Sequence, residues 1–215
     1  MTSGYPFIVA GIDEAGRGPL AGPLAVAGVV LPLKTKITGL ADSKKLTHSK
    51  RLLLAEEIKA KAIAYSIELV SVEEIDSLNI LEATKLGMRR VANNIIHSSP
   101  FLEITRHHFL VDGNQKFCNK ISNEPIIKGD DKILSISAAS ILAKTERDIL
   151  MEKMARKYPA YEFENHKGYP TKLHKERIKE YGPCPIHRKT FRGVKEYANE
   201  VSAFTYQVNQ PPQRP

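Results

Sequence analysis

Three aspartates follow short apolar segments that resemble strands, and their side chains could bind a divalent cation. They are Asp13, Asp112 and Asp130, which follow the predicted strands at residues 7–12, 109–111 and 125–127. Sites in open α/β sheets form where strands end, so acids from several strand ends can converge on one ion. Mg²⁺ takes oxygen ligands, usually one or two carboxylates with phosphates and waters. Two such ions about 4 Å apart would hold the attacking water and the leaving oxygen of a phosphodiester.

Each acid also has a simpler interpretation, because an acid after a strand is often only a turn former or a helix cap. Asp112, which precedes a glycine, favours that interpretation when it is taken alone, whereas the set of three argues against it. Glu14 raises a geometric question, since neighbours on a strand point to opposite faces. Either the strand ends or bends at Asp13, or Glu14 reaches one ion with its side chain and another with its backbone carbonyl.

The segment Gly16, Arg17 and Gly18 lies directly beside the first acid. Glycines let backbone amides approach a ligand closely, so this segment could hydrogen-bond a ribose 2′-hydroxyl, the group that distinguishes RNA from DNA. Arg17 could pair with a phosphate. A plain tight turn is the competing interpretation.

A polar stripe runs along the predicted helix at residues 133–158. Ser137, Ser140, Lys144 and Asp148 are spaced at i, i+3, i+7 and i+11, which places them on one side of a helix. Such a stripe could follow a phosphate backbone. It could equally be the solvated side of an amphipathic helix.

Positive charge is concentrated near the C-terminal end. Residues 151–195 contain 12 Lys and Arg against 5 Asp and Glu, in a chain of formal net charge +8. This excess favours a polyanion contact, although a solvated helical face is the alternative. Basic residues surround Tyr169 and recur at 187–190, a pattern typical of a nucleic-acid groove in which a ring stacks on a base or sugar. A core or turn position for Tyr169 is the other interpretation.

The scaffold predicted for these side chains is an α/β sheet with helices on its faces. Further strands are predicted at residues 24–31 and 65–70, and helices at 72–97, in two pieces, and at 173–181. Thr47 is predicted to cap a helix that ends near residue 64. Its inner side would carry Leu53, Leu54 and Ile58. Strands followed by helices that alternate with short strands favour this α/β class.

Composition narrows the remaining possibilities. The 215 residues allow one domain over residues 1–195, which includes a basic helical region at about 151–195, and a partly disordered tail at 196–215. The two cysteines lack the spacing of a zinc site. No apolar run approaches the roughly 20 residues of a membrane helix, and no signal peptide is evident. We therefore expect a cytoplasmic protein without a membrane span.

Six motifs, in this order along the chain, resemble bacterial ribonuclease HII. They are Asp13-Glu14-Ala15-Gly16-Arg17-Gly18, Asp42-Ser43-Lys44-Lys45-Leu46, Val111-Asp112-Gly113, Lys128-Gly129-Asp130, the segment from Ser137 to Lys144, and Lys167-Gly168-Tyr169. The resemblance spans about residues 7–195. It implies a ribonuclease H-like fold, a central mixed sheet flanked by helices with a C-terminal helical extension.

The resemblance also implies a reaction and its residues. Asp13, Glu14, Asp112 and Asp130 would be the catalytic acids and would bind Mg²⁺ or Mn²⁺, with the adjacent Asp131 as the alternative fourth acid. The implied substrate-binding residues are Gly16, Arg17, Gly18, Lys44, Ser137, Ser140, Lys144 and Tyr169. The substrates would be RNA–DNA hybrids and DNA duplexes containing ribonucleotides, cut on the 5′ side of the ribonucleotide by metal-assisted attack of water. The products would carry 3′-hydroxyl and 5′-phosphate ends.

Two other functions stay open at this point. A ribonuclease HIII-like nuclease would share the acids but usually carries an extra N-terminal domain, and the first strand here begins near residue 7. A non-catalytic basic module would explain the charge but not the acids, which repel phosphate unless a cation intervenes. A monomer is the expected oligomeric state.

Overall fold

The computed structural model describes residues 8–40, 46–98 and 106–198. Its centre is a five-stranded mixed sheet in the order β3-β2-β1-β4-β5. The strands are β1 (Ile8–Ala15), β2 (Leu24–Val30), β3 (Ala64–Val70), β4 (His107–Asp112) and β5 (Asn123–Ile126). The first three form an antiparallel meander, whereas β4 pairs parallel with β1 and β5 pairs parallel with β4. The predicted mixed α/β sheet is therefore confirmed.

Seven α-helices and a 3-10 helix are present in the described part of the chain. They are α1 (His48–Lys61), α2 (Val72–Leu78), α3 (Ile80–Ile96), α4 (Gly129–Lys132), α5 (Leu134–Lys157), α6 (Phe163–His166), α7 (Lys172–Tyr181) and the 3-10 helix Pro159–Tyr161. A capping box of Ser71 and Glu74 starts α2. Asn79 then takes a positive φ of 71° and caps α3 with its side chain, which explains the predicted break into two pieces.

Alternation along the strands divides the core between the two sheet faces. Ile8, Ala10 and Ile12 pack in the cluster that includes α3. The opposite face is covered by α1 and α5. Gly11 lies on that second face, where a Cβ atom would come within 2.3 Å of the backbone of Ser135 and Ile136. Glycine thus lets the first turn of α5 lie directly against β1, two residues before Asp13.

The C-terminal elements form the predicted helical extension. The 3-10 helix and α6 pack beside α5 around the buried residues Met151, Tyr161 and Phe163. A short antiparallel bridge between Ala21 and His187 joins this region to the loop that follows β1. No helix in the described ranges combines the length and apolar character that a membrane span requires.

Several local predictions need correction. The first strand continues through Asp13 and Glu14 to Ala15 instead of ending before the acids. Thr47 does cap α1, but that helix ends at Lys61 and β3 begins at Ala64. Leu53 is 74% exposed, so only Leu54 and Ile58 face the core as predicted. Lys44 and most of the predicted tail lie outside the described residues.

Candidate active site

Asp13 and Asp112 lie side by side where the parallel pair β1–β4 ends. The last paired residues in that ladder are Ile12 and Val111, so the two aspartates are the next residues of their strands. Residues at equivalent register in neighbouring strands point to the same face. The shared face is the one covered by α5, where Ser140 hydrogen-bonds the Asp13 carboxylate.

Burial disfavours the ionised form of both acids on β1. Asp13 is 5% exposed, and its pKa is raised well above the usual range by burial, then by the charges of Glu14 and Asp112. Ser140 and the Glu14 amide, which donates to Asp13 Oδ1 at 2.7 Å, oppose that rise. Burial also raises the pKa of Glu14, against the opposing effect of Arg17, and Asp112 adds repulsion. Three carboxylates therefore act on one another electrostatically.

Glu14 has one paired and one unpaired oxygen. Its Oε1 accepts a hydrogen bond of 3.2 Å from Arg17. Its Oε2 is buried and has no hydrogen-bond partner. Because the strand does not end at Asp13, alternation directs the two neighbours to opposite faces, yet both interact with Asp112. A buried carboxylate oxygen without a partner is costly, and an added cation or donor would satisfy it.

The donor set fits a hard divalent cation. Carboxylate oxygens are the ligands that Mg²⁺ and Mn²⁺ prefer. Within residues 8–40, 46–98 and 106–198, no group of three or more His, Cys, Asp or Glu side chains is already clustered tightly enough to enclose an ion. Mg²⁺ commonly uses only one or two carboxylates and completes its shell with phosphate oxygens and waters. The open arrangement of Asp13, Glu14 and Asp112 is compatible with that mode.

Asp130 is brought to the same sheet edge through Gly129. The Gly129 amide donates to Asp112 Oδ1 at 2.7 Å. A Cβ atom on Gly129 would lie 2.6 Å from Ile136 Cδ1, so a larger residue here would require the Ile136 side chain to move. Asp130 is half-buried in α4, whereas Asp131 is exposed. This position favours Asp130 over Asp131 as the fourth acid.

The loop from Gly16 to Pro23 forms one wall beside the acids. Gly16 has a φ of +102°, which favours glycine. Arg17 and Gly18 are exposed, and a Cβ atom on Gly18 would lie 4.0 Å from the Tyr169 ring. Tyr169 is 39% exposed, and its ring centre lies 5.6 Å from Lys144 Nζ. The predicted residues at 16–18, 144 and 169 thus surround one surface.

The predicted polar stripe on α5 divides into residues with different roles. Ser140 contacts Asp13, as described above. Ser137 is 3% exposed and donates to the Leu40 carbonyl at 2.9 Å, so its hydroxyl is directed to the loop before α1. Asp148 is buried in ion pairs with Lys144 and Arg51. The stripe is therefore not simply the solvated side of an amphipathic helix, and its four side chains do not form one continuous surface for a phosphate backbone.

The basic run at 187–190 also differs from its prediction. His187 and Arg188 are fully buried instead of lining a groove. Arg147 on α5, which the sequence did not single out, is fully buried as well. Both arginines bind backbone carbonyls of the loop after β1. A basic residue in a basic segment is normally exposed, so sequence alone gave no signal of this role.

Comparison with known proteins decides the family. The family model described as Ribonuclease HII matches residues 10–194. The chain belongs to the ribonuclease HII family. Ribonuclease HII of Janthinobacterium sp. (strain Marseille) is 53% identical over 195 residues, covering 91% of this chain and 90% of that protein. Members of this family are metal-dependent hydrolases, and the chain is accordingly a ribonuclease H endonuclease acting on RNA–DNA hybrids.

Solved structures show the same fold. The crystal structure of ribonuclease H2 from Pyrococcus horikoshii OT3 has a TM-score of 0.71 and 29% identity, covering 89% of this chain and 97% of that one. The RNase HII in a PCNA complex from Archaeoglobus fulgidus has a TM-score of 0.73 and 26% identity, covering 86% of this chain and 96% of that one. The ribonuclease H-like fold predicted from the sequence is confirmed.

Proposed function

We propose that this ribonuclease HII nicks DNA duplexes on the 5′ side of a single embedded ribonucleotide, in addition to cutting RNA–DNA hybrids. The observation that carries the proposal is the meeting of two features at one sheet edge. The mutually repelling carboxylates of Asp13, Glu14 and Asp112, of which the first two are shifted by burial, lie next to a loop that exposes Arg17 and Gly18. The first feature suits phosphodiester hydrolysis, and the second suits contact with one sugar hydroxyl.

Asp13, Glu14, Asp112 and Asp130 are the proposed ligands of Mg²⁺ or Mn²⁺. When bound, such ions would stabilise the negative charge that develops on the scissile phosphate and lower the pKa of the attacking water. The protein fixes the acids beforehand. The Gly129 amide holds Asp112, and Ser140 with the Glu14 amide holds Asp13. Little reorganisation is then needed when the substrate arrives.

Substrate positioning falls to the loop and to Tyr169. The amides of residues 16–18 would contact the ribose 2′-hydroxyl, and Arg17 would pair with a phosphate. Tyr169, between Lys144 and Gly18, would pack on the sugar that follows. Attack of water in line on the phosphorus breaks its bond to the upstream 3′ oxygen. That oxygen leaves as a 3′-hydroxyl, and the ribonucleotide keeps a 5′-phosphate.

We extend the proposal to a monomeric enzyme that acts in the cytoplasm and serves to remove ribonucleotides from DNA. Cys118 and Cys184 are free thiols, which suits a reducing compartment. Light scattering of the purified protein at micromolar concentration should give the mass of one chain, and a dimer mass would contradict this part of the proposal.

The test of the proposed function compares three labelled substrates of one sequence. They are a duplex with one embedded ribonucleotide, a continuous RNA–DNA hybrid and an all-DNA duplex. We expect cleavage of the first two, with Mg²⁺ or Mn²⁺ and not with chelator, and 3′-hydroxyl and 5′-phosphate ends at the embedded site. Cleavage of the hybrid without cleavage of the embedded site would instead favour a ribonuclease HIII-like specificity.

A further inference from the structure

Two arginines are fully buried beneath the loop from Gly16 to Pro23. Arg147 and Arg188 have exposed fractions of 0%. Burying a cation is costly unless it is paired or fully hydrogen-bonded. Neither guanidinium forms an ion pair with a carboxylate of the described residues, and all the hydrogen bonds that each donates go to backbone carbonyls. Each also lies over an aromatic ring, Arg147 over Tyr169 and Arg188 over Phe191. Such an arrangement calls for an explanation beyond core packing.

Arg188 binds three carbonyls of the loop at once. Its Nη2 donates to Gly16 at 2.6 Å, its Nη1 to Arg17 at 3.0 Å and its Nε to Gly22 at 2.9 Å. Arg147 supports the far end of the same loop, donating to Ala21 at 3.0 Å and to Pro23 at 3.1 Å. All five of these contacts are made to backbone oxygens of one loop.

Because the peptide bond is planar, fixing a carbonyl group also fixes the direction of the amide N–H in the same peptide unit. In a trans peptide the C=O of one residue and the N–H of the next point in opposite directions. Holding the Gly16 and Arg17 carbonyls inward therefore directs the Arg17 and Gly18 amides outward. Neither amide donates to any acceptor in the described parts of the chain, and both residues are exposed. The loop thus presents two adjacent donors to solvent, in the segment that directly follows Asp13 and Glu14.

We infer that Arg188, assisted by Arg147, is a positioning residue that sets the specificity for the ribose 2′-hydroxyl by fixing the outward direction of the Arg17 and Gly18 amides. The inference rests on the proposed function, since it assigns that contact to the same loop.

Charge and shape both support this role. Burial, and secondarily the charge of Arg147, lowers the pKa of Arg188 to about 9, which leaves the guanidinium charged at neutral pH. Gly16 lies so close to Arg147 that a Cβ atom would be 2.2 Å from Nε. Only a planar group with several donors fits under the loop and satisfies three divergent carbonyls. A lysine would keep the positive charge but would lack the planar arrangement of donors that binds the three carbonyls.

The experiment measures binding in chelator, so that no cleavage occurs, to two duplexes that differ by one 2′-hydroxyl. Wild type should prefer the ribonucleotide-containing duplex by about tenfold, the value of a good hydrogen bond. Arg188→Met should reduce that preference to near unity, while its affinity for the all-DNA duplex, which depends on phosphate contacts, stays within about threefold. Arg188→Lys should retain part of the preference.

Asn123→Ala is the matched control for a purely structural effect. Asn123 is also buried and bonded to three backbone groups of a loop, those of Phe117, Cys118 and Ile121. It makes no contact with the loop from Gly16 to Pro23. Its replacement should lower the melting temperature but leave the preference unchanged. Methylguanidinium added to Arg188→Ala should restore the preference, and methylammonium should not.

Three results would overturn the inference. They are an unchanged preference in Arg188→Met, an equal loss of preference in Asn123→Ala, or failure of methylguanidinium to act on a folded Arg188→Ala. If Arg188→Met does not fold, Arg188→Lys and the rescued Arg188→Ala decide the matter. Absence of any preference in the wild type would instead contradict the proposed 2′-hydroxyl contact itself, so the two failures are distinguishable.

Discussion

The carboxylate of Asp112 accepts a hydrogen bond of 2.7 Å from the backbone amide of Gly129. This contact joins two segments that are 17 positions apart and sets α4 against the end of β4. Asp130 directly follows Gly129 in α4 and is half-buried there. A single backbone contact thus connects Asp112 with the residue that directly precedes the candidate fourth acid.

Replacement of each neighbouring acid should separate Asp130 from Asp131. Asp130→Asn should reduce single-turnover cleavage of an RNA–DNA hybrid by about a hundredfold or more, since removal of one charge-stabilising group commonly has that effect. Asp131→Asn should stay within about threefold of wild type, because its side chain is exposed on α4. The reverse order of effects would assign the fourth acid to Asp131.

Asp13→Asn should stabilise the fold while it abolishes turnover. Burial and the charges of Glu14 and Asp112 raise the pKa of Asp13 in the folded state. Because the pKa is higher in the folded than in the unfolded state, protonated Asp13 contributes to stability. That contribution to the free energy of unfolding is complete below the unfolded pKa and is lost as pH rises through the folded pKa. Ionisation of the Asp13 carboxylate is therefore less favourable in the folded than in the unfolded chain, and a neutral amide should raise the free energy of unfolding at neutral pH by about 1 kcal/mol.

Urea unfolding at pH 7.5 in chelator measures this change, with Asp131→Asn as the exposed control. A lower unfolding midpoint for Asp13→Asn than for wild type would show that the Asp13 charge does not strain the folded state.

A pair of buried histidines should make the fold sensitive to mild acid. The Cys184 amide donates to His187 Nδ1 at 2.9 Å, so the proton of neutral His187 lies on Nε2, which is 3.0 Å from His174 Nε2. His174 Nδ1 in turn faces the Tyr169 carbonyl at 2.9 Å. Burial lowers the pKa of His187 to about 3 and that of His174 to about 4. A second proton on either ring would occupy a nitrogen that now accepts a hydrogen bond, namely Nδ1 of His187 or Nε2 of His174.

The pKa values of both histidines are lower in the folded than in the unfolded state. The stability that the two neutral rings contribute to the fold is therefore complete above about pH 6.5 and is lost as pH falls. Each histidine should remove about 2 kcal/mol of stability between pH 7 and pH 5. Urea unfolding midpoints at those two pH values provide the measurement. His187→Asn should flatten the dependence, and an equally steep dependence in that variant would contradict the account.

The acids could be predicted from the sequence because strand ends and glycine turns are local signals. Asp13 and Asp112 follow β-branched, apolar segments, and parallel pairing brings such ends together. The course of β1 through Glu14 could not be predicted, because it depends on pairing with β2, which lies beyond the loop. The inner side of α1 was also partly misassigned, since Leu53 is apolar yet faces solvent.

Arg147 and Arg188 show a different limit of sequence reasoning. Arg188 lies in a basic run that predicts a surface contact, because arginine is rarely buried. Its role depends on carbonyls of residues 16, 17 and 22, which are more than 160 positions away in the chain. Only the tertiary arrangement of the loop after β1 and the C-terminal region brings these groups together.

The most direct test of the shared acidic site is the single-turnover cleavage rate of Asp112→Asn on the duplex with one embedded ribonucleotide. Asparagine keeps an oxygen that can accept the Gly129 amide, so the variant removes charge with little change of shape. We predict a loss of about a thousandfold or more with Mg²⁺ or Mn²⁺, and duplex affinity in chelator within about threefold of wild type. Cleavage by Asp112→Asn at the wild-type rate would contradict the account.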